Sequence, residues 1–295
     1  MKKSHYKTPT DLEWFQDWEK RVLAQSSIPF QHTYAETNFG KTHIYTHNAE
    51  NTNLPAVFCL PGMRTSGAYW ILNNSMVRFK NTHRIFILDN IGQPGLSAGT
   101  NPNVKTSEYG KWIKEVLAFF NIEKAFFIGA SFGCQLIVKL SQVAPSAIEK
   151  ACFICPGGIN QIGMTWKNLS SNMFLIWFKN EKRNQQFISN VIYGSTFKLT
   201  GKAHELLSES VLETVKRFVM KTGLPYPAKK EEFANMKMPL LVLPGQDDPM
   251  FPPAKLLKRI QEVFPVQPKF EVLEGHGHGS ECSPTALQKA YDFLN

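Results

Sequence analysis

The sequence predicts an α/β protein with a mostly parallel central sheet and helices on both faces. Three observations carry this expectation. Short apolar runs alternate with longer helical patterns, which is the signature of strands joined by crossover helices. The runs Ala56–Leu60, Arg84–Leu88, Ala125–Ile128 and Met238–Leu243 read as buried strands. One of them leads through Gly129-Ala130-Ser131-Phe132-Gly133 straight into the helical stretch Cys134–Leu140.

The elements follow in order. Thr10–Gln25 has an amphipathic helix pattern, with Trp14, Trp18 and Val22 on one stripe and Phe15 beside it, suited to docking on the body of the protein. Thr33–Glu36 and His43–Thr46, joined by Asn38-Phe39-Gly40, read as an antiparallel hairpin at the sheet edge. The strand ending at Leu60 precedes a helix near Ala68–Arg78, and the strand ending at Leu88 precedes one near Ser107–Phe120. The elbow strand and its helix come next, then a strand over Lys150–Cys155. There the alternation stops. Residues 157–235 show no strong strand but carry the run Met173–Phe178 and a helical stretch over Glu205–Met220. Strands over Met238–Leu243 and Phe270–Leu273 complete the pattern.

The pentapeptide around Ser131 fits G-x-S-x-G in the strand–turn–helix setting of a nucleophile elbow. A sharp turn crowds its own backbone, so the flanking positions must be small. The turn lifts the serine hydroxyl above the sheet edge and points a helix N-terminus at it, where negative charge is stabilised. A serine nucleophile needs a base, and the base needs an orienting acid, in chain order Ser, Asp or Glu, His. Two loops downstream suit these roles. Pro244-Gly245-Gln246-Asp247-Asp248-Pro249 leaves one strand, and Glu274-Gly275-His276-Gly277-His278 leaves the next.

With these motifs the chain resembles the α/β-hydrolase family. Gly245-Gln246-Asp247-Asp248 resembles the family's G-x-x-D acid loop, a register that selects Asp248 over Asp247. Val272–His278 resembles its strand followed by G-x-G-H, a register that selects His278. Counting back from Glu281 and Pro284 selects His276 instead, and both histidines stay in play. Ala56–Arg64 resembles the segment that donates one oxyanion-hole amide, which by position is Met63. The second donor is the amide of Phe132, after the nucleophile. Pro61 stands where many members carry His. Asp89–Ser97 resembles the family's D-x-x-G-x-G-x-S loop, whose role is structural.

The resemblance implies an α/β-hydrolase core over 30–156 and 236–295, an N-terminal helical segment over 1–29, and a helical cap over 157–235 inserted after the sixth strand. Phe174, Trp177 and Phe178 are then the expected lining of an acyl pocket above Ser131. It further implies a serine hydrolase that cleaves a carboxylic ester through an acyl-enzyme, with a small-molecule ester as its partner and no cofactor or metal. The alternative within this fold is a receptor with little or no turnover that signals through a protein partner.

Composition fits a globular protein, at 43% hydrophobic and 19% charged residues. The net charge of +9 is spread out, with no basic run denser than Met1-Lys2-Lys3 or Lys229-Lys230, which argues against nucleic acid. The Met173–Phe178 run is too short to span a bilayer. No apolar leader follows Lys2 and Lys3, and five scattered cysteines suit the reducing cytoplasm. Cys152 and Cys155 have C-x-x-C spacing, but on a strand they are expected to face opposite sides.

Overall fold

Helix α1 (Pro9–Leu23) starts at a Thr8–Asp11 capping box and packs its Phe15, Trp18 and Val22 inward. The computed structural model describes residues 5–163, 166–220 and 222–295, with the backbone alone at 167–169, so Lys2 and Lys3 lie outside the described residues. After α1 come the hairpin strands β1 (Gln31–Thr37) and β2 (Gly40–His47), then β3 (Ala56–Leu60), β4 (Arg84–Leu88) and the two-residue β5 (Ala98–Gly99). Helix α2 (Glu108–Phe119) leads to β6 (Ala125–Ala130), α3 (Phe132–Val143) and β7 (Ile148–Ile154). Among the described residues only helices then follow: α4 (Trp166–Phe178), α5 (Glu181–Phe187), a π-helical turn over Ile188–Ile192, and α6 (Gly201–Arg217). The chain closes with β8 (Leu240–Leu243), α7 (Pro253–Val263), β9 (Lys269–Phe270) and α8 (Pro284–Leu294).

The strands form one sheet in the order β1-β2-β4-β3-β6-β7-β8-β9, with β5 paired to β2. Pairing is antiparallel at the β1–β2–β4 end and parallel from β4 to β9. Strand alternation splits the core in two. Val57, Cys59, Ile85, Ile87 and Ile128 face α1 and α8, while Phe58, Phe86, Phe127 and Phe153 face α2, α3 and α7. The parallel register places Phe58 beside both Phe86 and Phe127, and the rings stack at 4.6 and 5.5 Å between centroids. The helical segment therefore follows the seventh strand rather than the sixth, because β5 is too short to read as a strand in the sequence.

Three expectations need correction. The helix near Ala68–Arg78 is instead three short 3-10 turns, at Gly67–Trp70, Leu72–Asn74 and Val77–Phe79. Asn73 and Asn74 take positive φ of 61° and 52°, a left-handed conformation that breaks an α-helix and that Asn tolerates best. Phe270–Leu273 pairs as a strand only over Lys269–Phe270, with a separate bridge at Leu273. Cys152 and Cys155 share one side of the sheet, because Cys155 lies past the strand end with φ 45° and the alternation resets there.

Candidate active site

The elbow is built as the sequence requires. Ser131 follows β6 and caps α3 with φ 47° and ψ −111°, a sparsely populated conformation that costs of order 1–3 kcal/mol. The surroundings hold it there. Its N–H donates to the Ile154 carbonyl at 3.0 Å, and its own carbonyl accepts from Gly157 and Cys134 at 3.0 and 3.1 Å. A Cβ on Gly133 would lie 2.1 Å from the Leu60 carbonyl oxygen of the neighbouring strand, so only glycine fits.

Two loops meet over this serine. The Ser131 hydroxyl donates to His278 Nε2 at 2.9 Å, and His278 Nδ1–H donates to Asp248 Oδ2 at 2.8 Å. The other Asp248 oxygen accepts from the amides of Met250 and Phe251, which fixes the carboxylate. The loops are tied to each other by Asp247 N–H to the His276 carbonyl and by Gly275 N–H to the Gln246 side chain, both at 2.9 Å. The helical segment ties down the histidine loop. His278 N–H donates to the Val191 carbonyl at 2.8 Å and Gly279 N–H to the Ile192 carbonyl at 3.0 Å. Burial pulls the His278 imidazole toward neutrality, but the Asp248 carboxylate and then Glu281 outweigh it, so its pKa stands above the ordinary 6.5.

The competing residues go elsewhere. His276 Nδ1–H donates to the Glu274 carbonyl and Nε2 accepts from the Ser283 hydroxyl, both at 2.8 Å, while its ring stacks on Phe197. Asp247 accepts from the Ser195 amide and hydroxyl.

A model of the α/β-hydrolase fold matches residues 55–280, most of the chain. The chain belongs to the α/β-hydrolase family. Two relatives from Bacillus subtilis (strain 168) are similar to it. The carboxylesterase YbfK is 24% identical over 96% of this chain and 94% of the relative, and the uncharacterized carboxylesterase nap is 24% identical over 83% and 79%. Among solved structures, the carboxylesterase CesB (YbfK) superposes with a TM-score of 0.81 at 23% identity, covering 97% of this chain and 99% of that one. The naproxen esterase of Bacillus subtilis gives 0.80 at 19%, covering 98% and 100%.

In this α/β hydrolase the Asp89 loop is a structural hub. Asp89 is fully buried and accepts from the Gly67 and Leu96 amides and from His43 Nδ1. Above Ser131 lies a cavity of about 340 Å³. Its walls include Gly62 and Met63 from the loop after β3, His278, and side chains of α4 and α6. Phe132 opens α3, and as the first helical residue its amide has no intrahelical acceptor. Its ring is buried away from the cavity, edge-on to Tyr109.

The expected aromatic lining is corrected. Leu175 and Ile176 of α4 face the cavity; Phe174, Trp177 and Phe178 do not. Trp177 and Phe178 are 63% and 56% exposed and pack with Phe174, which also lies under the Arg183 guanidinium. The run is apolar nearly all round its helix, so composition alone did not reveal which face turns inward.

Among the described residues, two groups of side chains have donor atoms close enough for a metal ion. Cys155, Asp248 and His278 form one, but burial first, and the Asp248 charge next, push the Cys155 thiol well up, so it stays protonated and is a poor ligand. Glu19, His32 and His43 form the other. It is a hydrogen-bonded chain, with His32 Nδ1 and His43 Nε2 2.9 Å apart and His43 braced by Asp89. Spacing along the sequence hid it, because α1 and cross-strand neighbours of the hairpin assemble it. Two charged cavity residues were missed as well. Arg64 directly follows Met63, and Glu281 follows the histidine loop. Their adjacency to motif residues was the only signal.

Proposed function

We propose that the chain is a serine hydrolase of carboxylic esters. The observation that carries this reading is the continuous relay from Ser131 through His278 to Asp248 at the wall of an apolar cavity. His278 accepts the Ser131 proton as the oxygen attacks the ester carbonyl. Asp248 holds the tautomer with Nδ1 protonated and stabilises the imidazolium that forms. The Met63 and Phe132 amides are the oxyanion donors, each of the kind worth about 3–4 kcal/mol of transition-state stabilisation. His278 returns its proton to the leaving alkoxide, leaving an acyl-enzyme at Ser131. Water deprotonated by the same imidazole then releases the acid and restores the serine.

The names of the relatives support ester substrates. The helical segment 157–235 acts as the cap, since it lines the cavity and braces the His278 loop. The core is then 30–156 with 236–295. Five buried free cysteines support a reducing compartment such as the cytoplasm, and no helix among the described residues is long and apolar enough to cross a membrane. Turnover of p-nitrophenyl esters tests the reading. The wild-type chain should hydrolyse them over many cycles, and a folded Ser131→Ala variant should not. Equal turnover in both would overturn it.

A further inference from the structure

The cavity wall is mostly aliphatic and aromatic, which makes its charged groups informative. His278 is paired with Asp248. Glu281 is buried, and burial raises its carboxyl pKa; the charges that act on it are those of His278 and Asp248. Arg64 is different. Among the described residues its guanidinium has no hydrogen bond and no ion pair, and burial alone perturbs it, downward. An arginine nonetheless stays charged at any working pH.

Other partly or fully buried cations of the same chain are compensated. Lys139 is buried and bonded to Glu232 and Tyr226. Arg217 pairs with Asp11 and Glu213, and Arg21 with Glu209. Lys150 donates to the carbonyls of Phe293 and Leu294. Among the described lysines and arginines only Arg64 lines the cavity, and it does so from a strained backbone at φ 62°. The Gln93 side-chain oxygen accepts from the Arg64 amide at 2.8 Å and holds that backbone in place. Among the described residues no acidic group offsets this partly desolvated charge. A ligand anion would.

We propose that Arg64 recognises the substrate, and that the preferred substrates are esters carrying a second, ionised carboxylate. The planar guanidinium offers parallel N–H donors that match a carboxylate in a two-point contact. The ester carbonyl then lies at Ser131 and the remote carboxylate at Arg64, with the apolar wall accommodating the chain between. This rests on the serine-hydrolase reading above.

The test compares monoethyl esters of dicarboxylic acids of increasing length with ethyl esters of monocarboxylic acids of matching length. The readout is the ratio of kcat/KM values for each pair within one protein, so general losses of activity or folding cancel. The wild-type ratio should reach about tenfold or more in favour of the best half-ester, as a charged hydrogen-bond pair provides. Arg64→Met should bring the ratio to about one or below. Arg64→Lys should restore only part of it, since an ammonium lacks the fork. A wild-type ratio near one, or a ratio that survives in Arg64→Met, would overturn the inference while leaving ester hydrolysis intact. If the wild type hydrolyses neither ester, the hydrolase reading fails instead. Calorimetry with monoethyl adipate on Ser131→Ala then decides the Arg64 contact: binding lost on adding Arg64→Met supports it, and binding unchanged contradicts it.

Discussion

At the elbow, a Cβ on Gly133 would meet the Leu60 carbonyl at 2.1 Å, whereas on α4 Trp177 stands 63% exposed beside the Phe174 ring. Both regions border one cavity. The elbow is fixed by backbone geometry, so its residue types are nearly forced. The helical insertion is fixed by which face of each helix turns inward, so many side chains would serve and few are diagnostic. On the proposed reading, one region sets the chemistry and the other sets which molecules reach it.

The sharpest way to break this comparison is at the histidines. His278→Ala should lower kcat/KM for a p-nitrophenyl ester by about four orders of magnitude or more, as loss of a triad base does. His276→Ala removes two hydrogen bonds and a ring stack at a distance from the serine. It should cost about 1–2 kcal/mol of stability with kcat/KM within about tenfold of the parent. Reversed outcomes would assign the base to the wrong histidine.

A second contrast is in stability. Gly133→Ala should destabilise the protein by about 1–3 kcal/mol through overpacking against β3, and Trp177→Ala by no more than about 0.5 kcal/mol. Thermal melts of the two variants measure it. Equal shifts would mean that the elbow is less constrained than its contacts indicate.

These contacts explain what was legible in the sequence. Gly129, Ser131 and Gly133 announced the elbow because a strand-to-helix turn tolerates few residues there. The candidate acid and base loops were legible in kind, and the G-x-x-D register already picked Asp248 over Asp247, but His278 and His276 were separated only by tertiary contacts, among them the amides that anchor the histidine loop to Val191 and Ile192. The turns at Leu72–Asn74 were missed because left-handed Asn residues interrupt a pattern that otherwise reads as helix. Arg64 was passed over because a charge beside a loop motif reads as solvated surface until a cavity closes around it.

A third test sharpens the role of the insertion. Leu175→Ala and Ile176→Ala should shift the preferred acyl length, since each buried methylene of substrate is worth about 0.8 kcal/mol, or about fourfold in kcat/KM. Trp177→Ala and Phe178→Ala should leave the chain-length profile unchanged. A shift in the second pair and none in the first would put the inward face on the wrong side of α4.

The smallest expected effect concerns pH. His278 must be neutral to accept the serine proton, so activity falls as pH drops through its pKa, which is raised by Asp248 and by Glu281 against the pull of burial. Glu281→Gln removes one negative charge and should move the acidic limb of the kcat/KM profile to lower pH. A limb that stays in place, or moves up, would show that Glu281 does not act on the base.

The most direct measurement of the central claim is the site of a covalent adduct. The wild-type chain treated with a fluorophosphonate should carry one phosphonyl group, mapped by peptide mass spectrometry to the segment containing Ser131. Folded His278→Ala protein should label far more slowly under the same conditions. An adduct on another residue, or labelling of Ser131 at the same rate without His278, would contradict the account.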